Sequence, residues 1–324
     1  MTTRALFTIV LAAGEGTRLR SLTRALHGED LPKQFAVILG GHSLLQATLT
    51  RTSRLSPANR TVVVVSEARE RLAERQLTDF PGADPVAQPK NLGTGPGLLL
   101  PLARVLARDP DAIVAIVPSD HYVRDVERFV ESVKEAEAVA RAENSVVLLS
   151  AVPDAPETQY GWVVTSENGD GRGHRVLRFA EKPIAATANE LFTTGALWNT
   201  FIMVGPARCF WELGRRHLPG QSAQLDAYRR AVGTPSERGV LSALYERMAP
   251  ADFSRDVLER AEGLRVVRLE PCGWSDWGTP ERVLRSLRGT SDYEVLVGRL
   301  RSGATARAKS LRPRSELLEA RQAS

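Results

Sequence analysis

"LAAGEGTRLRSLTRALHGEDLPKQF" runs from Leu11 to Phe35, and its reading decides the fold. The apolar run that leads into it, Ala5–Ala12, is rich in Phe, Ile and Val and predicts a buried strand. Gly14 and Gly16 follow at once, and then Arg18, Arg20, Arg24 and Lys33. A buried strand that opens into flexible backbone and positive charge belongs to α/β sheets, which bind ligands beyond the carboxyl ends of their strands. Strand-to-helix turns also use glycine for purely structural reasons, so the loop alone leaves both readings open.

The loop, Gly14-Glu15-Gly16-Thr17-Arg18-Leu19, lacks the third glycine of the dinucleotide fingerprint and the Gly-Lys-Ser/Thr of a Walker A loop. Its physics is similar. Glycines let backbone N–H groups approach phosphate oxygens, and a helix start adds partial positive charge. Arg18 can fork two donors onto a phosphate, and Lys33, held behind the rigid Pro32, can act as a point charge on another.

Outward from this loop, short apolar runs alternate with helical patterns. Thr61–Val65, Ala112–Val117 and Ser145–Ala151 predict further strands. Ser43–Leu55 predicts a helix capped by Ser43, and a long amphipathic helix starts at Val126. The repetition predicts a Rossmann-like α/β fold with a mostly parallel central sheet and helices on both faces. After about Ala151 the pattern changes. "YGWVVTS" and "HRVLRFAEK", separated by the turn residues Glu167–Gly173, predict an antiparallel insertion that walls the same sheet edge. Ala196–Gly205 and Gly263–Pro271 predict the last strands, with helices between them to about Arg260, and "TPERVLRSL" begins a closing helix.

Bulk properties exclude several classes. With 324 residues and 43% hydrophobic content the chain can bury a large core. Two cysteines, Cys209 and Cys272, make neither a disulfide framework nor a close metal pair, and they point to a reducing compartment. The net charge is +5, but residues 290–324 carry seven basic and four acidic side chains, leaving a near-neutral body. That distribution argues against a nucleic-acid partner. "MTTRALFTIVLAAG" has the outline of an export signal, yet it reads better as a core strand. No stretch approaches the ~20 apolar residues of a membrane span, so the expectation is a cytoplasmic protein.

Two carboxylates stand out. Asp120, in "IVPSDHYV", falls just past a buried strand, where it can ligate Mg²⁺ or cap the next turn. Asp276, in "CGWSDWGTP", lies in a tight loop between tryptophans, where the same two readings apply. His121 reads as a structural hydrogen-bonding group, and Trp274 with Trp277 as cleft wall.

With these pieces in order, the motifs "LAAGEGTRLRSLTR", "PKQF", "QPKNLGTGPGLLLPLA", "VPSDH", "ETQYGWV", "AEKP", "GALWNTFIMVG" and "CGWSDWG" resemble those of bacterial mannose-1-phosphate guanylyltransferases, members of the sugar nucleotidyltransferase superfamily. The resemblance spans Ala5 to about Leu287 and implies a nucleotidyltransferase domain over residues 1–289. A basic tail, helical or disordered, follows over residues 290–324. It implies transfer of a nucleotidyl group from GTP to mannose 1-phosphate, giving GDP-mannose and pyrophosphate, with Mg²⁺ as cofactor. By motif, Gly14 and Gly16 would lend backbone to the nucleotide, Arg18 would stabilise the triphosphate, and Lys33 would align the α-phosphate. Gln88, Gly93 and Thr94 would contact the base, while Gly161, Glu181 and Asn199 would hold the sugar and Lys182 its phosphate. Asp120 and Asp276 would hold the metal. Gln88 and Thr94 could instead end a strand and cap a helix.

The departures concern specificity. Leu92 stands where the family often has arginine, Gly95 where it often has alanine, and Thr200-Phe201 where Ser-Gly is usual. The same chemistry with another base or sugar is therefore one alternative, and a catalytically silent paralogue that binds sugar nucleotides is another. A homodimer is compatible with the sequence.

Overall fold

The structure is a computed structural model that describes residues 4–166 and 173–310, with side chains as far as residue 302. Most of the turn expected over Glu167–Gly173, and the tail from residue 311 on, lie outside the described residues. Among the described residues nine strands form one sheet: β1 (Leu6–Leu11), β2 (Thr61–Ser66), β3 (Asp84–Gln88), β4 (Ile113–Pro118), β5 (Val147–Ala151), β6 (Gly161–Thr165), β7 (His174–Glu181), β8 (Leu197–Pro206) and β9 (Arg265–Arg268). Their order is β3-β2-β1-β4-β8-β5-β9-β7-β6, and β6 also pairs with β8. The strand read as a core element rather than an export signal is β1, which lies between β2 and β4.

Strand alternation divides the side chains between two faces. Phe7, Ile9, Val62 and Val64 pack on one side against helices α4 (Thr94–Arg108), α7 (Ala207–His217), α8 (Pro219–Ala231) and α9 (Glu237–Tyr245). Val10, Val63, Val65 and Ile113 pack on the other against α2 (Leu44–Thr52), α3 (Glu70–Leu77) and α5 (Val126–Glu143). The α2 start is the one the sequence predicts. Ser43 Oγ accepts from the Gln46 amide and Gln46 Oε1 accepts from the Ser43 amide, both at 3.1 Å. Two smaller helices complete the periphery, α1 (Arg20–His27) after the glycine loop and α6 (Ala185–Thr193) beyond the insertion.

The sheet is parallel from β3 through β2 and β1 to β4, as expected. The other half is mixed: β5 and β9 are parallel, whereas β8 runs antiparallel to β4, β5 and β6. The cause is the β6–β7 hairpin, which reverses the chain. The crossover through α6 then delivers β8 in that reversed direction. β3 escapes strand patterning because it reads Asp-Pro-Val-Ala-Gln; it is an edge strand, where proline is tolerated.

The last helices, α10 (Pro280–Leu287) and α11 (Ser291–Ser310), close over the glycine loop. Leu19, Leu22, Trp277, Val283, Leu287 and Leu296 make a third apolar cluster there. Arg299 Nη1 donates to the Ile38 carbonyl at 2.7 Å, so the start of the basic tail is docked. No described helix is long and apolar enough to cross a membrane.

Candidate active site

Two cavities open at the carboxyl ends of the strands and share His121 and Phe201 in their walls. The larger, about 440 Å³, is lined by Gly14, Gln88, Gly93, Thr94 and Asp120. The smaller, about 150 Å³, is lined by Arg18, Gly161, Glu181, Lys182, Asn199 and Asp276. Twelve of the thirteen residues picked from sequence therefore line one of these cavities or, in the case of Lys33, link Asp120 of one to the Asp276 backbone of the other.

Lys33 is the bridge. Its side chain is 9% exposed, and Nζ lies 3.0 Å from Asp120 Oδ2 and donates to the Asp276 carbonyl at 2.7 Å. Three segments far apart in sequence meet there because Tyr122 and Ser275 exchange backbone hydrogen bonds of 2.9 and 3.0 Å. Gly16, the thirteenth residue, lines neither cavity and packs behind them. At φ 60° it packs on the Lys33 backbone, where a Cβ would meet the amide nitrogen at 2.8 Å. It lets the loop close over Lys33. Gln34 Nε2 holds the other end of the loop, donating to the carbonyls of Ala12 at 2.9 Å and Gly14 at 2.6 Å.

In the larger cavity Gln88 is buried and donates to the Tyr245 hydroxyl at 3.2 Å. Thr94 Oγ1 accepts from the Phe253 amide at 2.7 Å, so it ties the start of α4 to the π-helical turn Phe253–Leu258, which periodicity did not reveal. Leu92 and Gly95 clasp Ala251 through backbone bonds of 2.9 Å each. Arg18 lies on the smaller cavity, on the Glu181 side rather than among the nucleotide-side residues. Lys182 Nζ pairs with Glu181 Oε1 at 2.9 Å. At Gly161 a Cβ would meet Glu181 Oε2 at 2.8 Å, so glycine there keeps the carboxylate in place.

Asp276 is more heavily engaged than a simple metal ligand. Arg282 Nη1 donates to its Oδ1 and Oδ2 at 3.2 and 3.1 Å, and the Tyr160 hydroxyl donates to Oδ1 at 2.7 Å. Arg282 Nη2 donates to Glu157 at 2.7 Å, and its guanidinium carbon lies 4.4 Å from the Tyr160 ring centroid. Burial alone would raise the Asp276 carboxyl; Arg282, Tyr160 and Lys33 outweigh it and hold it below the ordinary value. Burial and the neighbouring Asp276 push the Tyr160 hydroxyl up, so it stays a donor. Sequence reasoning missed Arg282, Tyr160 and Glu157, although "ETQYGWV" contains two of them.

His121 is buried and pushed down to about 4 by desolvation, against the opposing pull of Asp120. Trp274 Nε1 donates to its Nδ1 at 3.2 Å, which leaves the proton on Nε2, 3.9 Å from Asp120 Oδ1. Behind it Arg51, buried and lowered to about 10, donates to the His121 carbonyl at 3.0 Å. Trp274 lines the smaller cavity as expected. Trp277 does not: it is fully buried, stacked on Tyr122 at 4.5 Å, because its loop turns inward toward α10.

Left-handed backbone is concentrated here. Lys182 (φ 44°), Phe201 (φ 59°) and Trp277 (φ 44°) are non-glycine residues in that region, each costing about 1–3 kcal/mol. No group of three or more His, Cys, Asp or Glu side chains that could hold a metal occurs among the described residues. Asp120 and Asp276 line adjoining cavities, and carboxylates suit Mg²⁺ because that ion keeps waters and takes phosphate oxygens as further ligands.

The site is a strand-end cleft with two adjoining cavities and a buried lysine between the Asp120 carboxylate and the Asp276 carbonyl. The comparisons give it a family. Residues 7–291 match the nucleotidyl transferase family, and the chain belongs to it. The xanthan biosynthesis protein XanB of Xanthomonas campestris is 33% identical over 284 residues, 84% of this chain and 57% of that protein. A mannose-1-phosphate guanylyltransferase of Salmonella montevideo is 29% identical over 288 residues, covering 84% and 58%. The chain thus spans under three-fifths of these relatives' length. A solved structure described as mannose-1-phosphate geranyltransferase from Thermus thermophilus superposes with a TM-score of 0.76 at 30% identity, over 87% of this chain and 79% of that one. The inositol-1-phosphate CTP transferase of T. maritima, at 17% identity and a TM-score of 0.55 over 90% of this chain and all of that one, shares the fold.

Proposed function

We propose that the chain transfers a nucleotidyl group from GTP to mannose 1-phosphate, releasing pyrophosphate and forming GDP-mannose. The observation that carries this reading is Lys33, buried between Asp120 and the Asp276 carbonyl at the seam of the two cavities. The names of the relatives support the choice of base and sugar. A phosphate oxygen of the sugar phosphate attacks the α-phosphorus in line, that P–O bond forms, and the bond to pyrophosphate breaks. This chemistry depends on alignment and charge neutralisation more than on proton transfer.

The chain's residues divide that work. Gly14 offers backbone beside the phosphates, and Gln88, Gly93 and Thr94 face the nucleotide. Lys33 carries positive charge to the α-phosphate, and Arg18 faces the sugar phosphate from the loop above. Gly161 leaves room for the sugar, Glu181 and Asn199 take its hydroxyls, and Lys182 is free to swing from Glu181 to phosphate. Asp120 and Asp276 would hold Mg²⁺, which when bound supplies charge neutralisation between two anions. Arg282 and Tyr160 fix the Asp276 carboxylate for that purpose.

The test is pyrophosphate release with Mg²⁺ and mannose 1-phosphate, against GTP, ATP, UTP and dTTP separately, for the wild type and Lys33→Met. Release with GTP that falls at least about 100-fold in the variant is expected. Release with another nucleotide would keep the chemistry and change the base, a second reading prompted by Leu92, which stands where the family often has arginine. Silence with all four nucleotides and all sugar phosphates would favour the binding-only paralogue.

A further inference from the structure

Phe201 sits at a break in the sheet. The β5–β8 register shifts between Leu149 and Ser150, pairing Leu149 with Ile202 but Ser150 with Asn199, so Thr200 and Phe201 bulge from β8. Thr200 repairs the ladder: its hydroxyl donates to the Leu149 carbonyl at 2.6 Å and accepts from the Ile202 amide at 3.2 Å. Asn199 Oδ1 accepts from the Phe201 amide at 3.2 Å. The bulge leaves Phe201 at φ 59°, a conformation that suits glycine, with its half-buried ring in the wall of both cavities. The surrounding hydrogen bonds thus hold a bulky aromatic where local preference disfavours it.

We infer that the Phe201 ring is a specificity-determining partition, which selects the sugar 1-phosphate by refusing epimers that turn a hydroxyl onto it. This inference rests on the proposed nucleotidyl transfer to a sugar phosphate. The smaller cavity offers Glu181 and Asn199 for sugar hydroxyls, and the ring offers no partner at all. A sugar that presents C–H groups to the ring is accepted. An epimer that presents a hydroxyl there buries it without a hydrogen bond and is rejected. The ring belongs equally to the nucleotide cavity, so it also fixes how closely the two substrates approach.

The experiment measures kcat/KM for mannose, glucose and galactose 1-phosphates with the best nucleotide, in the wild type, Phe201→Gly and Phe201→Asn. Glycine and asparagine both tolerate positive φ, so either variant opens the partition without adding backbone strain. The preference for the best over the poorest sugar should fall at least about tenfold in each. A merely structural role would lower all three values together and leave the ratio within about twofold, which would overturn the inference. If Phe201→Gly fails to melt cooperatively, Phe201→Asn decides alone. Absence of turnover in the wild type with every sugar phosphate would refute the transfer reaction itself and this inference with it. An unchanged ratio in an active enzyme would refute only the partition.

Discussion

Arg282→Met removes a cation that meets both Asp276 and Glu157. Arg282 is 7% exposed at its side chain, and its partners are 13% and 22% exposed, so the pairs are poorly screened. Taking one partner from a buried ion pair costs about 3–5 kcal/mol, because the remaining charges keep their desolvation penalty. A loss of about 4 kcal/mol, spread over a chain of 324 residues with about 2.1 cal/mol/K of unfolding entropy each, lowers Tm by about 6 °C. The pH dependence gives a sharper test. In the wild type the Asp276 carboxyl is held below its ordinary value, so its contribution is present above the unfolded pKa and is lost as acid reaches the folded one. Without Arg282, desolvation, already its largest single influence, raises that carboxyl above the unfolded value. The variant's penalty is then relieved as pH falls through the raised pKa. Calorimetry at about pH 7.5 and about pH 5 should show a large deficit at the first and a smaller one at the second. A deficit under about 1 kcal/mol at the higher pH, or equal deficits at both, would refute this account of how Asp276 is held.

Two further outcomes follow from the same geometry. His121, at about 4 in the fold against 6.5 for an exposed imidazole, binds fewer protons folded than unfolded between those values, so stability rises with pH across that window by about 3 kcal/mol. Urea unfolding across pH should lose that slope in His121→Gln, and an unchanged slope would mean that another group is responsible. Gly93, at φ 87° and ψ −178°, occupies a region essentially reserved for glycine, and a Cβ there would meet the Ala251 carbonyl oxygen at 2.4 Å. Gly93→Ala should cost about 1–3 kcal/mol and weaken nucleotide binding, measured by thermal shift with and without nucleotide. Gly14→Ala, which meets nothing within 4 Å, should leave stability nearly unchanged.

The parallel half of the sheet was legible because its central strands are continuous apolar runs and its ligand edge is marked by Gly14, Gly16 and Asp120. The reversed direction of β8 was not, since hydrophobic alternation carries no sign of which way a strand runs. β3 was hidden by Asp84 and Pro85, which an edge position excuses. At the site, sequence located residues that line the two cavities but not those that hold them in place. Arg282, on α10, reads as one more charge on a helix face until the fold brings it against Asp276 and Tyr160. Gly16 also has a packing role that sequence did not reveal, leaving the space into which the Lys33 backbone fits. Phe201 drew notice as a departure from a family pattern, yet the bulge that turns it into the cavities is a product of tertiary hydrogen bonding.

The 3.0 Å contact between Lys33 and Asp120 has a consequence for how substrates arrive. Ammonium and carboxylate here serve as each other's counter-ion. Under the proposed reaction, a phosphate that draws Lys33 away strips Asp120 of compensation, and a dication that claims Asp120 leaves the ammonium beside like charge. Either newcomer alone meets a penalty that the two together cancel. By linkage, nucleotide and dication then raise one another's affinity by the same factor. The cleft would discriminate against bare nucleotide and bare metal through the cost of separating its own charges, with no moving gate required.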